Sequence, residues 1–124
     1  MINDSRINPR VPLSVSIKVD LPDGRTIQLQ SQNISLSGLM LVADQKQFEA
    51  LLHRKNSSGV NIQPELHATF NLPRPKHKDL VVDTRCRAIH VRRESQNKYY
   101  VGVKFLQLNQ AAVSAIQQHV TNNL

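Results

Sequence analysis

Val11-Pro12-Leu13-Ser14-Val15-Ser16-Ile17-Lys18-Val19, then Leu21-Pro22-Asp23-Gly24, then Ile27-Gln28-Leu29, is the stretch whose reading decides the fold. Val11, Leu13, Val15, Ile17 and Val19 alternate with Pro, Ser, Ser and Lys, which is the period of a strand with one buried face. Pro22 and Asp23-Gly24 supply turn chemistry, and Ile27 and Leu29 resume the alternation. The stretch therefore predicts a β-hairpin with its first strand running unbroken from 11 to 19.

Working outward, Leu39 to Val42 follows Gly38 as a short apolar run, read as a third and more fully buried strand. Asp44 with Gln47 three residues later matches a helix capping box, and Phe48, Leu51 and Leu52 give the helix an apolar stripe that Asn56-Ser57-Ser58-Gly59 ends. A strand over Val60 to Leu72 is interrupted by Pro64, which demands a break or an edge. Leu80 to Val91 and Tyr99 to Leu106 both alternate, with Arg93 to Lys98 read as a polar loop between them. From Asn109, a plausible cap, Ala112, Val113, Ile116 and Val120 recur at helical spacing. The pattern predicts an all-β-dominated chain, a six-stranded antiparallel β-barrel with a short connecting helix and a C-terminal helix at about 109–122. Closure into a barrel removes exposed strand edges.

At 124 residues the chain is expected to be a single domain over 11–124 preceded by a flexible arm, residues 1–10. Hydrophobic residues at 40% and charged residues at 20% exclude a disordered or fibrous chain. The longest apolar run, Leu39 to Ala43, is too short to cross a bilayer, and the first ten residues lack the regions of a signal peptide. A cytoplasmic protein without membrane insertion is expected, and the single Cys86, unable to form an internal disulfide, fits a reducing compartment.

A formal charge of +7 favours anionic partners without choosing among them. Arg85, Arg87, Arg92 and Arg93 crowd one stretch; Arg74, Lys76 and Lys78, among Pro73 and Pro75, read as a solvated hairpin tip. Two short stretches are more selective. Arg6-Ile7-Asn8-Pro9-Arg10 offers two guanidinium forks, each able to donate paired hydrogen bonds to the O6/N7 edge of guanine or to two phosphate oxygens. Asn33-Ile34-Ser35-Leu36-Ser37-Gly38 offers an amide, a hydroxyl and a glycine in a turn between two strands.

The order Arg6-x-x-x-Arg10, then Asn33-x-Ser35-x-x-Gly38, then Tyr100-Val101-Gly102-Val103-Lys104-Phe105-Leu106 before a terminal helix, resembles the PilZ domain family, bacterial receptors for cyclic di-GMP. The resemblance spans Arg6 to about Val120. It implies a six-stranded barrel with cyclic di-GMP as ligand, no cofactor, no metal and no catalytic residue. Carried over position by position, the ligand-binding residues are Arg6, Arg10, Asn33, Ser35 and Gly38. The arginines would contact bases and phosphates, Asn33 would read a guanine edge, Ser35 would bond a phosphate or base, and Gly38 would permit close backbone approach or positive φ. Many family members carry a further arginine where this chain has Ser5, and Asp is commoner where it has Asn33. The implied role is an adaptor whose arm folds onto the ligand and changes the surface met by a downstream protein in motility, pili, adhesion or exopolysaccharide control.

No enzyme is expected: His53, His67, His77, His90 and His119 are dispersed, Cys86 has no partner for a zinc site, and no nucleophile motif, phosphate loop or carboxylate pair occurs. Cys86 reads as a small strand residue, Gly102 as a packing or bulge glycine, and Arg87 and His90 as surface residues near the pocket. Two other readings stand beside the receptor. One is a basic barrel for RNA or single-stranded DNA, disfavoured because only Phe48, Phe70, Tyr99, Tyr100 and Phe105 are available to stack on bases. The other is a PilZ-like interaction adaptor that binds no nucleotide.

Overall fold

The opening hairpin forms, but its first strand is split. In this computed structural model, which describes residues 9–52 and 65–124 and only the backbone of Leu52, the elements are β1 (Val11–Pro12), β2 (Ser16–Asp20), β3 (Thr26–Ile34), β4 (Gly38–Ala43), α1 (Gln45–Leu52), β5 (Glu65–Arg74), β6 (His77–Ser95), β7 (Lys98–Phe105) and α2 (Gln110–Asn122). Both β1 and β2 pair with β3, Val11 opposite Ile34 and Ser16 opposite Gln30. The unbroken strand expected over 11–19 is thus interrupted at 13–15, and the cause is Ser31. This inward-facing side chain, 2% exposed, accepts the Val15 N–H at 3.0 Å and donates to the Leu13 carbonyl. A hydroxyl replaces one rung of the backbone ladder, so the strand bends there without leaving a buried polar group unpaired.

The six longer strands close an antiparallel ring, β3–β2–β5–β6–β7–β4 and back to β3. Ring closure pairs both sides of each of these strands, and among the described residues the two-residue β1 is an appendage on β3. Ile17, Leu29, Leu41, Phe70, Val101 and Val103, all 3% exposed or less, point into the ring. Burying such a side chain contributes roughly 1.5–3 kcal/mol, which makes this the main source of stability. Cys86 joins them at 1% exposure; burial first, and Glu65 second, push its thiol up from 9.0 to about 12. It is a small core residue, protonated at neutral pH.

Both helices are capped as their sequences predict. Asp44 Oδ1 accepts the Gln47 N–H at 2.8 Å while Gln47 Oε1 accepts the Asp44 N–H at 2.9 Å. Asn109 Oδ1 accepts the Ala112 N–H at 2.8 Å, and α2 buries Ala112, Ala115, Ile116 and Val120 against β5 and β6. In α1, Phe48 stacks on Tyr99 of β7 with ring centres 4.1 Å apart. No described helix is long and apolar enough to cross a membrane.

Two expected boundaries move. The strand read as Leu80 to Val91 extends over His77–Ser95 and the loop read as Arg93 to Lys98 shrinks to the turn at its tip, because pairing continues beyond the core with Arg92 opposite Tyr100 and Arg93 opposite Tyr99. There Arg92 and Lys98 lie over the Tyr100 ring and Arg93 over Tyr99, so exposed polar residues are held in strand geometry by their neighbours rather than by alternation. The strand read as Val60 to Leu72 is described over Glu65–Arg74; its beginning, with Pro64, the Asn56–Gly59 helix stop and His53, lies outside the described residues. The basic tip is a tight turn in which Lys76 takes φ +62° and Arg74 Nε donates to the Lys78 carbonyl at 2.8 Å.

Candidate functional site

Two bulges, one on β3 and one on β6, orient this site. Continuing inward from Leu29 and Ser31, strict alternation would aim Asn33 into the core. The β3–β4 register instead jumps from Ser31↔Leu41 to Asn33↔Met40, with Gln32 as the extra residue, and Asn33 turns outward, half-buried. On β6 the register steps from Ala88↔Val103 to His90↔Gly102; Ile89 is extra, and His90 turns outward in the same way. As a result Pro12, Asn33, Met40, Gly102 and His90 form one line across the outer face of β1, β3, β4, β7 and β6.

Arg10 reaches this line. Its Nη1 donates to Asn33 Oδ1 at 3.0 Å, so the described half of the first arginine motif meets the first residue of the second. An arginine has no acceptor, which fixes the Asn33 carboxamide with its oxygen toward Arg10 and its NH2 free to donate elsewhere. The acceptor is also neutral. An aspartate here would cancel most of the guanidinium charge, whereas the neutral Asn33 does not, and among the described residues no carboxylate pairs with Arg10. Arg6 and Ser5 lie outside the described residues.

Ser35 and Gly38 do something different. Ser35 N–H donates to the Gly38 carbonyl at 2.9 Å and Gly38 N–H to the Ser35 carbonyl at 3.3 Å, closing a tight turn between β3 and β4. Ser35 is fully buried; its hydroxyl lies 2.9 Å from that of Ser37 and accepts the Ser37 N–H at 3.2 Å. The exposed hydroxyl of the turn is therefore that of Ser37, which the sequence reading passed over. Gly38 is not at positive φ; a Cβ there would overlap the Val103 carbonyl oxygen and lie 3.0 Å from its carbon. Its backbone approach is to β7, not to open solvent.

Beside the turn the outer face is cationic. Gly38, Lys104, Arg87 and Glu65 form a second line across β4, β7, β6 and β5. Arg87 and His90 are exposed, as expected; His90 ends the first line and Arg87 lies in the second. Gly102 makes a notch between Met40 and His90: a Cβ there would lie 3.4 Å from His90 Cβ and 3.9 Å from Met40 Cε. Among the described residues no three His, Cys, Asp or Glu side chains come together as a metal site. A concavity of about 630 Å³ lined by Arg25, Lys46, Glu49 and Ala50 lies toward the start of β3, away from Asn33 at its end.

The family model for the PilZ domain matches residues 4–122. Among solved structures, the fold is similar to the Bacillus subtilis inhibitor of motility MotI/DgrA (TM-score 0.72, 14% identity, 96% of this chain and 51% of that one). It is similar also to the PilZ domain of YcgR from Escherichia coli, solved with cyclic di-GMP (TM-score 0.64, 11% identity, 97% of this chain and 92% of that one). A third is MrkH of K. pneumoniae in its cyclic di-GMP complex (TM-score 0.62, 16% identity, 98% and 53%). This chain thus spans about half the length of MotI/DgrA and MrkH. No curated protein matches it in sequence.

Proposed function

The chain belongs to the PilZ domain family, and on that premise we propose that it is a cyclic di-GMP receptor that signals by protein contact and catalyses no reaction. The observation that carries the reading is the Arg10–Asn33 hydrogen bond, which joins the two motifs on one outward face, with no carboxylate paired to Arg10 among the described residues. Arg10 and Asn33 bind base edge and phosphate directly. Ser35 and Gly38 shape the turn that presents Ser37, and Arg6 closes from the arm. The ligand, a dianion with two guanines, draws the arm onto the ring and changes the surface offered to a downstream protein in the cytoplasm. Motility, adhesion, pili or exopolysaccharide output is the family's range of roles.

The nucleic-acid reading loses its stacking platform. Phe70, Phe105, Tyr99 and Tyr100 are buried, and Phe48 is half-buried against Tyr99, so no aromatic ring is open to bases.

Calorimetric titration with cyclic di-GMP tests the proposal. The unaltered chain should saturate in the micromolar range, Arg10→Ala should bind at least about tenfold more weakly, a loss of about 1.4 kcal/mol, and GMP should compete poorly. Absence of binding at tens of micromolar, or equal binding by Arg10→Ala, would refute it.

A further inference from the structure

Arg87 and Lys104 stand directly opposite each other on β6 and β7, both exposed and both outward, between core-facing Cys86 and Ala88 on one strand and Val103 and Phe105 on the other. Like charges in that position repel, and a sheet gains nothing from them. The nearest counter-charge in their line is Glu65, opposite Arg87 on β5, but its Oε1 is held by Arg85 Nη1 at 2.7 Å. On the other side Lys104 faces Gly38, which has no side chain. Neither Arg87 nor Lys104 forms an ion pair among the described residues. The surplus cations therefore border the motif turn, with Gly38 next to Lys104 in the same line.

The distances suit one ligand. Asn33 and Lys104 lie two strand spacings apart and two residues along, roughly 10 Å by 7 Å, and the side chains of Arg10 and Lys104 can each extend several ångströms into that gap. We propose that Arg87 and Lys104 form an outer phosphate subsite of the Arg10–Asn33 site, holding the second phosphate of a bis-phosphate ligand such as cyclic di-GMP. This inference rests on the receptor reading above and adds to it two residues outside the motifs. Their mutual repulsion is a cost in the free protein that an anion relieves on binding, so occupancy of the subsite is coupled to the charge of the ligand rather than to its bases.

Arg87→Gln, Lys104→Gln and the double variant, titrated with cyclic di-GMP at low and high salt beside the unaltered chain, provide the test. Each single change is expected to weaken binding about fivefold and the double change about twentyfold at low salt, with a shallower salt dependence in the double variant. Thermal melting of the free protein is the second readout: removal of one of two opposed cations should leave the melting temperature unchanged or raise it, so the binding loss cannot come from misfolding. Binding of the double variant within twofold of the unaltered chain would overturn the subsite while leaving the receptor reading intact. No binding by the unaltered chain would overturn both, and lower melting temperatures in both single variants would assign the pair a structural role instead.

Discussion

Replacing Gly38 by alanine should unfold this protein more readily without touching any ligand contact. The added Cβ would overlap the Val103 carbonyl oxygen, with the Val103 carbon at 3.0 Å and Lys104 Cα at 3.2 Å. All three are backbone atoms of the paired strand, so no side chain can swing aside. Relief requires β4 and β7 to part where Gly38 opposes Lys104, close to the turn that closes the ring. Overpacking of this kind costs about 3 kcal/mol. With an unfolding entropy of roughly 2.1 cal/mol/K per residue over 124 residues, that lowers the melting temperature by about 11 °C. Gly102→Ala is the matched control, since its nearest neighbour, His90 Cβ at 3.4 Å, is at ordinary contact distance and the expected cost is below about 1 kcal/mol. Scanning calorimetry of both variants checks the pair. A Gly38→Ala melting temperature within about 3 °C of the unaltered chain, or equal losses in both variants, would refute the reasoning. If it holds, loss of ligand binding in a Gly38 variant reports a damaged sheet and is not evidence that Gly38 touches the nucleotide.

Two further outcomes are expected. Ser31→Ala removes the hydroxyl that bridges Val15 and Leu13 and should cost about 2 kcal/mol in urea unfolding; a midpoint unchanged from the unaltered chain would show that the strand break does not depend on it. Lys76→Gly relieves a left-handed backbone at φ +62° and should raise the melting temperature by about 4 °C, from roughly 1 kcal/mol of relieved strain, whereas a fall would show that Lys76 is held by contacts worth more than its strain.

Wherever local chemistry suffices, the sequence was legible. The Asp44–Gln47 box and the Asn109 cap each need only residues three apart, and both form with the predicted donors and acceptors. The period-two pattern found the strands whose one face is buried, such as Val101, Val103 and Phe105. It failed where strand geometry is imposed by a neighbour. Arg92, Arg93 and Lys98 are exposed and polar, and cross-strand pairing of Arg92 with Tyr100, Arg93 with Tyr99 and Lys98 with Ser95 makes them strand. The break at 13–15 escaped because Ser31, which causes it, lies on the partner strand.

For the candidate site the division is sharper. Residue types and their order named Arg6, Arg10, Asn33, Ser35 and Gly38, because guanidinium, carboxamide and glycine chemistry can be read from a string of letters. Which way each one points could not be. Alternation alone would have buried Asn33 and His90; the extra residues Gln32 and Ile89 turn both outward, and a bulge is a property of two paired strands, visible in neither alone. Register likewise decided that Gly38 serves β7, that Ser35 serves its own turn, and that Lys104 stands beside Arg87. By itself the sequence determined the ring, its caps and the chemical inventory of the face. Only the tertiary structure decided which of those groups share that face, because cross-strand register depends on turn geometry and on bulges that belong to two paired strands together.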